Sequence, residues 1–234
     1  INVIPAEGFA FEETSVGETT TMNNPYPIAS VGGDKIIIAS VVAYHTITAT
    51  KPLNSSLKVD YTDPLGSTHA TKTFLSSDAS DGSIVVKEGT DLTVTVTPDT
   101  GYDFFNILIG SDEFTANPKT VTAVSKDLSI TTSVVKKKYL VTIIPPSNGS
   151  ISVKKGELFL ATASLVEHGS ELVISASPST NYRLSSLKVN NVAINSDSTI
   201  TVTEAITVEA EFTYVAPKYA VTFAQPENGE IIVR

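Results

Sequence analysis

The sequence predicts an all-β protein made of tandem copies of a small β domain. Val, Thr and Ile together account for 75 of the 234 residues, and these β-branched side chains pack well on a pleated sheet but lose freedom in a helix. Apolar and polar residues alternate in several segments, and one pattern of residues recurs at a fixed spacing. We therefore expect mainly antiparallel strands with at most short helical turns.

The repeat is clearest when residues 86–102 are compared with residues 166–182. Gly89, Leu92 and Pro98 each have the same residue 80 positions later, and no gap interrupts the match. A fixed spacing of this kind is the signature of tandem units, each of which is one small supersecondary structure.

The opening of the unit recurs as well. Residues 139–153 resemble residues 219–233, again 80 positions apart, and residues from Tyr44 to Val59 form a weaker third copy. The sequence therefore predicts four traces of one unit. They are a degenerate or partial unit at 1–43 with an opening hairpin at 3–8, a unit at 44–135 with a polar insertion at about 60–83, a unit at 139–215, and the start of a further unit at 219–234.

Each unit is predicted to consist of strands. Leu92, Val94 and Val96 alternate with threonines, which is typical of a strand with one buried face. Pro98 ends this strand because proline cannot donate a hydrogen bond to a ladder. The same features recur in the later unit at Leu172, Ile174, Ala176 and Pro178.

Turns and short helices complete the predicted unit. Asn148-Gly149 and Asn228-Gly229 separate alternating segments, and Asn-Gly is the strongest short-range signal for a hairpin. Residues 156–166 and 183–187 are the two segments where a short helix could form.

The order of these motifs resembles a known family. Tyr-x-Val-Thr, an Asn-Gly pair, Gly-x-x-Leu, Pro-x-x-x-Tyr and Ile-Thr-Val-x-Ala-x-Phe follow one another best within 139–215. They are similar to the divergent internalin B-type repeat, which occurs in tandem on bacterial surface and secreted proteins. The resemblance implies small tandem β domains that are β-grasp-like or sandwich-like, and tandem copies imply an extended rod. The family usually has Gly-Trp where this sequence reads Phe104-Phe105-Asn106 and Leu184-Ser185-Ser186.

Composition excludes several classes of function. The chain has no cysteine, so disulfides, thiolate metal sites and cysteine nucleophiles are excluded. A net charge of −9 argues against a nucleic-acid partner, because phosphates are bound by clustered Lys and Arg. The apolar runs, such as residues 36–38, are far shorter than the roughly 20 residues of a membrane helix, so no membrane span is expected here.

No catalytic or metal centre is predicted either. His45, His69 and His168 are not spaced as metal ligands, and no serine lies in a Gly-x-Ser-x-Gly nucleophile motif. We therefore expect a non-enzyme with no cofactor.

Two weaker candidate sites remain. Asp78 and Asp81 lie in one loop, where their carboxylates could bind Ca²⁺, although a hairpin turn at Asp81-Gly82 explains the same residues. Phe104, Phe105 and Phe114 are not matched by aromatic residues in the later unit. They could contact a glycan or a protein partner, or they could pack between units.

The resemblance implies a tandem-repeat segment of a bacterial cell-surface or secreted protein, and the residues themselves predict that the segment is non-catalytic. Such a segment serves as a stalk, a spacer or an adhesion surface. The alternative is an accessory carbohydrate-binding module of a secreted glycan-processing protein. The expected partners are neighbouring repeats and an unidentified protein or glycan, and the expected location is extracellular or at the cell surface.

Overall fold

The computed structural model describes residues 1–62, 69–224 and 226–232, and these residues form strands and no helix. The chain divides into two compact units, 1–136 and 137–234. The strands of the first unit are β1 (Phe9–Val16), β2 (Thr19–Thr21), β3 (Ile37–Ala49), β4 (Ser55–Thr62), β5 (His69–Leu75), β6 (Gly82–Lys87), β7 (Asp91–Pro98), β8 (Tyr102–Ile109), β9 (Asp112–Phe114), β10 (Lys119–Val121) and β11 (Leu128–Lys136). Those of the second are β12 (Lys138–Ile143), β13 (Gly149–Lys155), β14 (Leu158–Phe159), β15 (Ala163–Glu167), β16 (Glu171–Pro178), β17 (Tyr182–Val189), β18 (Val192–Ala193), β19 (Ser198–Thr201) and β20 (Ile206–Tyr214).

The second unit consists of two sheets around one core. One sheet has the strand order β15-β12-β20-β17-β18 and the other has the order β14-β13-β16-β19. Neighbouring strands are antiparallel except β12 and β20, the first and last strands of the unit, which are parallel neighbours. The core takes buried side chains from both sheets: Val141, Ile143, Val153, Val166, Leu172, Ile174, Leu187, Val202, Ile206 and Val208.

The first unit repeats this arrangement strand for strand. Strands β3 to β11 correspond to β12 to β20, and the pairings of β3 with β6 and β11, of β8 with β9 and β11, and of β7 with β4 and β10 all recur. Its core is separate and includes Ile47, Leu57, Val59, Leu92, Val94, Ile107 and Ile130. The all-β prediction is confirmed, and of its two forms the sandwich-like one is observed.

The N-terminal strands join the first unit through β3, which is 13 residues long. Its first part pairs with β1, and its second part, from Tyr44 onward, pairs with β6 and then β11. The hairpin predicted at 3–8 is wrong, because no strand forms there. Pro5 cannot donate to a ladder, and Gly8 adopts a φ of +83° in a turn where the Phe9 amide donates to the Ala6 carbonyl.

Alternation predicts burial correctly in the central strands. Leu92 and Val94 are fully buried, as are Leu172 and Ile174 in the second unit.

The helices considered at 156–166 and 183–187 do not form. These segments contain β14, β15 and most of β17 instead, because pairing of β15 with β12 and of β17 with β20 outweighs local preference.

Asn148-Gly149 does not form the predicted hairpin. Strands β12 and β13 lie in different sheets, so the chain crosses from one sheet to the other at this point. Asn148 adopts a φ of +64°, whereas Gly149 begins β13 against the ring of Phe212, where a Cβ atom would collide with that ring. The glycine is therefore required by packing and the asparagine by the turn.

The weak third copy is displaced by one residue from its predicted alignment. His45 pairs with Val86 in the first unit, and Tyr139 pairs with the corresponding Val166 in the second. His45, rather than Tyr44, therefore corresponds to Tyr139. A slip of one residue would turn every side chain of the strand to the opposite face, and burial of Ile47 and Val141 supports this register.

The insertion at about 60–83 contains β5, which pairs with β4 along its length, while residues 63–68 lie outside the described residues. The corresponding β14 has two residues, so the insertion extends this edge of the sheet.

Near the C-terminus, no strand forms within 219–224 and 226–232, and the Asn228-Gly229 hairpin is therefore not observed. Residues 225, 233 and 234 are not described, and the boundary at residue 43 stays a prediction.

Candidate functional site

The candidate aromatic residues lie on β8 and β9 of the first unit. Phe104 pairs with Val134 and Asn106 pairs with Ser133, so Phe105 is an extra residue in a β-bulge. Phe104 packs on the core, whereas Phe105 is 55% exposed. The structure therefore directs two adjacent phenylalanines into different environments.

Phe114 lines a cleft of about 500 Å³, which we call the aromatic cleft. The ring also packs on the core, and the Lys119 ammonium lies 4.0 Å from the ring centroid, within the range of a cation–π contact. Asp112 and Lys126 add charges of both signs to the lining. A sugar that stacked on this ring would have to displace Lys119.

The aromatic cleft has a smaller counterpart in the second unit, where Asn190 takes the place of Gly110. The Gly110 amide donates to the Ser129 carbonyl. At the corresponding position of the second unit, the Asn190 amide donates to the Thr207 carbonyl. The Asn190 side chain donates to the Ala205 carbonyl and accepts from the Thr207 amide, and a smaller cleft of about 330 Å³ is found there. Sequence reasoning missed this cleft.

The two candidate calcium ligands are engaged by backbone amides. Asp78 Oδ2 accepts from the Leu75 amide at 2.7 Å, and Asp81 Oδ1 accepts from the Lys51 amide at 2.8 Å. These bonds hold the loop after β5 and tie it to the segment before β4. Calcium binding at Asp78 and Asp81 stays a prediction.

Each of the three histidines has a different neighbour. His45 Nδ1 is 3.9 Å from Asp127 Oδ1, His69 Nδ1 is 2.6 Å from Thr62 Oγ1, and the His168 ring centroid is 6.0 Å from that of Tyr139. Within the described ranges, no three His, Cys, Asp or Glu side chains are grouped as a metal site would require.

A family comparison accounts for the repeated topology. The model of the divergent InlB B-repeat domain matches residues 69–133 and 139–216, which together are more than half of the chain. The chain belongs to this family. No curated protein matches it.

Each divergent InlB B-repeat match lies on one of the two sandwiches. The second match covers β12 to β20, whereas the first begins at β5 and omits β3 and β4. The first repeat nevertheless begins at β3 in the structure. β3 pairs with β11 as β12 pairs with β20, and β4 pairs with β7 as β13 pairs with β16. The family is a repeat domain rather than an enzyme family. No helix of the described residues is long and apolar enough to cross a membrane.

Proposed function

We propose that this chain is a non-catalytic segment of a bacterial cell-surface or secreted protein, where its repeats act as a stalk or spacer. The observation that carries the proposal is the duplication of one sandwich, with the same strand pairing in both copies. β11 ends at Lys136 and β12 begins at Lys138, so the connection is very short. Repeats that contact mainly their neighbours form extended arrays, and an array of this kind spaces other domains without a pocket of its own.

Small-angle scattering of the full chain tests the stalk. A compact globule of 234 residues has a radius of gyration of about 17–18 Å. We expect a clearly larger value and a pair-distance distribution with a long tail at concentrations where the protein is monomeric. A value near that of the globule would contradict an extended array.

Location is tested separately from shape. The proposal places the chain outside the cell, so an antibody against it should label intact cells or detect it in culture medium. Detection only after lysis would contradict a surface or secreted location and would leave the measured shape unaffected.

The alternative function is an accessory carbohydrate-binding module. Exposed Phe105 and the aromatic cleft favour it, whereas the packing of Phe104 and Phe114 on the core opposes a flat sugar platform. A glycan array should therefore give weak signals at most. A strong response to a single glycan that was lost in Phe105→Ala, and retained in Phe159→Ala as an exposed aromatic control, would favour the module over the stalk.

A further inference from the structure

Strand β15 is an open edge of the second unit. It ends the five-stranded sheet, where β12 is its strand partner and the described residues place no strand on its other side. The other edge strands of this unit are shorter, since β14 and β18 have two residues and β19 has four, whereas β15 has five. Short edge strands prevent further pairing, as do lysine or proline within the strand. Residues 163–167 contain neither, so β15 is the least protected edge of the unit.

The alternation of hydrogen bonds decides which groups of β15 point to the free edge. The Ile143 amide donates to the Thr162 carbonyl. The His168 amide donates to the Lys137 carbonyl. Hydrogen-bonded pairs occur at every second residue of an antiparallel ladder, so the even-numbered residues of β15 bond to β12. The amide and the carbonyl of Leu165 therefore point away from β12, towards the free edge.

Two leucines lie beside this edge on the outer face of the sheet. Leu165 is 69% exposed, and its cross-strand partner Leu140 is 46% exposed. Val166, the next residue of β15, is buried in the core, which places both leucines on the face that points away from the core. The corresponding pair in the first unit is Thr46 with Val85. The leucine pair is therefore specific to the second unit.

We propose that β15 pairs in antiparallel orientation with β15 of a second copy, with Leu165 at the two-fold axis. Each Leu165 amide then donates to the Leu165 carbonyl of the other copy. The two sheets join into one, and a row of four leucines crosses the junction, with Leu140 and Leu165 from each copy. A two-fold axis perpendicular to the sheet keeps all four on one face, whereas an axis along the strand would pair the edges in parallel and turn the leucines of the two copies to opposite faces.

The edge is its own complement, which is why a second copy is the occupant. The free donor and acceptor of Leu165 meet the acceptor and donor of the same residue, as an isologous contact requires. The row of leucines extends the contact that Leu140 and Leu165 already make within the sheet. Glu167, the one charged residue of β15, lies opposite Ala163 of the other copy and beside Lys138 of its own, so no like charges meet. The inference concerns lateral association of copies and does not depend on the stalk function.

Sedimentation of the full chain over a wide range of concentrations tests the contact. We expect a monomer–dimer equilibrium, and we expect Leu165→Lys to weaken it at least about tenfold, because two ammonium groups would meet at the axis. Leu165 is exposed in the monomer, so this variant should fold normally. Val85→Lys is the matched control, since Val85 is 60% exposed at the corresponding position of β6, and it should leave the equilibrium unchanged. A monomer at every concentration, or equal effects of the two variants, would overturn the proposal.

A proline variant tests the main-chain bonds separately from the leucine contact. Leu165→Pro removes the amide hydrogen that points to the free edge and none that bonds to β12, and proline is tolerated at such positions of edge strands. The monomer should therefore keep its fold by circular dichroism, and dimerisation should be lost. Leu165→Ala keeps the amide and should weaken dimerisation less than proline does. Unchanged dimerisation in Leu165→Pro would contradict pairing through this edge.

Cross-linking tests the register. The chain has no cysteine, so Leu165→Cys and Ala163→Cys each provide one thiol per copy. A short bifunctional thiol reagent should link two copies of Leu165→Cys, whose thiols meet at the axis. Two copies of Ala163→Cys should not be linked, because their thiols are four residues apart along the strand, which is about 14 Å. Linking of Ala163→Cys without linking of Leu165→Cys would overturn the proposal.

Discussion

Two glycines lie against aromatic rings in places where a side chain would collide. A Cβ on Gly82 would lie 2.6 Å from the Phe74 ring, and one on Gly149 would overlap Phe212. Phe74 is buried, whereas Phe212 is half-buried. Phe74 lies within the insertion at about 60–83, so comparison of the two repeats did not identify it as a core residue.

Gly82→Ala should destabilise the first unit by about 1–3 kcal/mol, the usual cost of overpacking. Gly149→Ala should cost less, because the half-exposed Phe212 ring can move aside. Chemical denaturation followed by circular dichroism measures both losses. Gly32→Ala, where nothing lies within 4 Å of the added Cβ, is the control and should be neutral. A neutral Gly82→Ala would show that Phe74 is not held in place.

Asp60 introduces a small dependence of stability on pH. Hydrogen bonds from Lys58 and Thr71 lower the pKa of its carboxyl group, with Lys58 Nζ at 2.8 Å and Thr71 Oγ1 at 2.6 Å. A lowered pKa in the folded state means that this stabilisation is present above the unfolded pKa and is lost as pH falls through the folded one.

The test compares the wild type with Asp60→Asn at neutral and acidic pH. The variant should be less stable at pH 7 by under about 1 kcal/mol, because the pair is solvent-accessible, and the difference should shrink as the pH falls through the lowered pKa of the Asp60 carboxyl group. A difference that grew on acidification would contradict this assignment.

At the scale of elements, local patterns predict strands better than they predict partners. Alternation at Leu92 and Leu172 identifies β7 and β16 because burial on one face imposes a period of two. Asn148-Gly149 failed as a hairpin signal because pairing between distant segments determines which sheet a strand joins. The aromatic cleft escaped prediction for the same reason, since Gly110 and Lys119 meet only after β8 and β10 enter different sheets.

The Asn117 side chain, which bonds to both the amide and the carbonyl of Val96, gives a prediction at this scale. Asn117→Ala removes both bonds to Val96, which is buried, and should destabilise the first unit by about 1–3 kcal/mol. The Asn24 side chain bonds to the amide and the carbonyl of Val3 at an exposed site, so Asn24→Ala should reduce stability much less. Hydrogen exchange of the Val96 amide should accelerate in Asn117→Ala only. Similar losses of unfolding free energy in both variants would indicate that burial does not affect the strength of these bonds.

At the scale of the whole molecule, the described residues form two separate hydrophobic cores. The sequence spacing of 80 was enough to predict duplication, because duplicated sequence implies duplicated structure. The spacing did not show that the N-terminal strands join the first unit. They join it through β3, because the first part of this long strand pairs with β1 and the second part pairs with β6, and neither pairing is visible as a local pattern.

Separate cores predict separate responses to mutation. Leu172→Ala should destabilise the second unit by about 2–5 kcal/mol through loss of buried surface and a cavity, and Leu92→Ala should do the same to the first. Native-state hydrogen exchange should show faster exchange in the mutated unit only. Equal acceleration in both units would mean that the two cores unfold as one.

The parallel pairing of the first and last strands has a mechanical consequence. In the second unit, tension on the chain pulls β12 from its N-terminal end and β20 from its C-terminal end. Because these strands are parallel neighbours, opposed pulling slides one along the other and loads their hydrogen bonds together, whereas an antiparallel hairpin pulled from its open end separates one bond at a time. In each sandwich, the hydrogen bonds between the first and last strands therefore resist extension of the chain in shear.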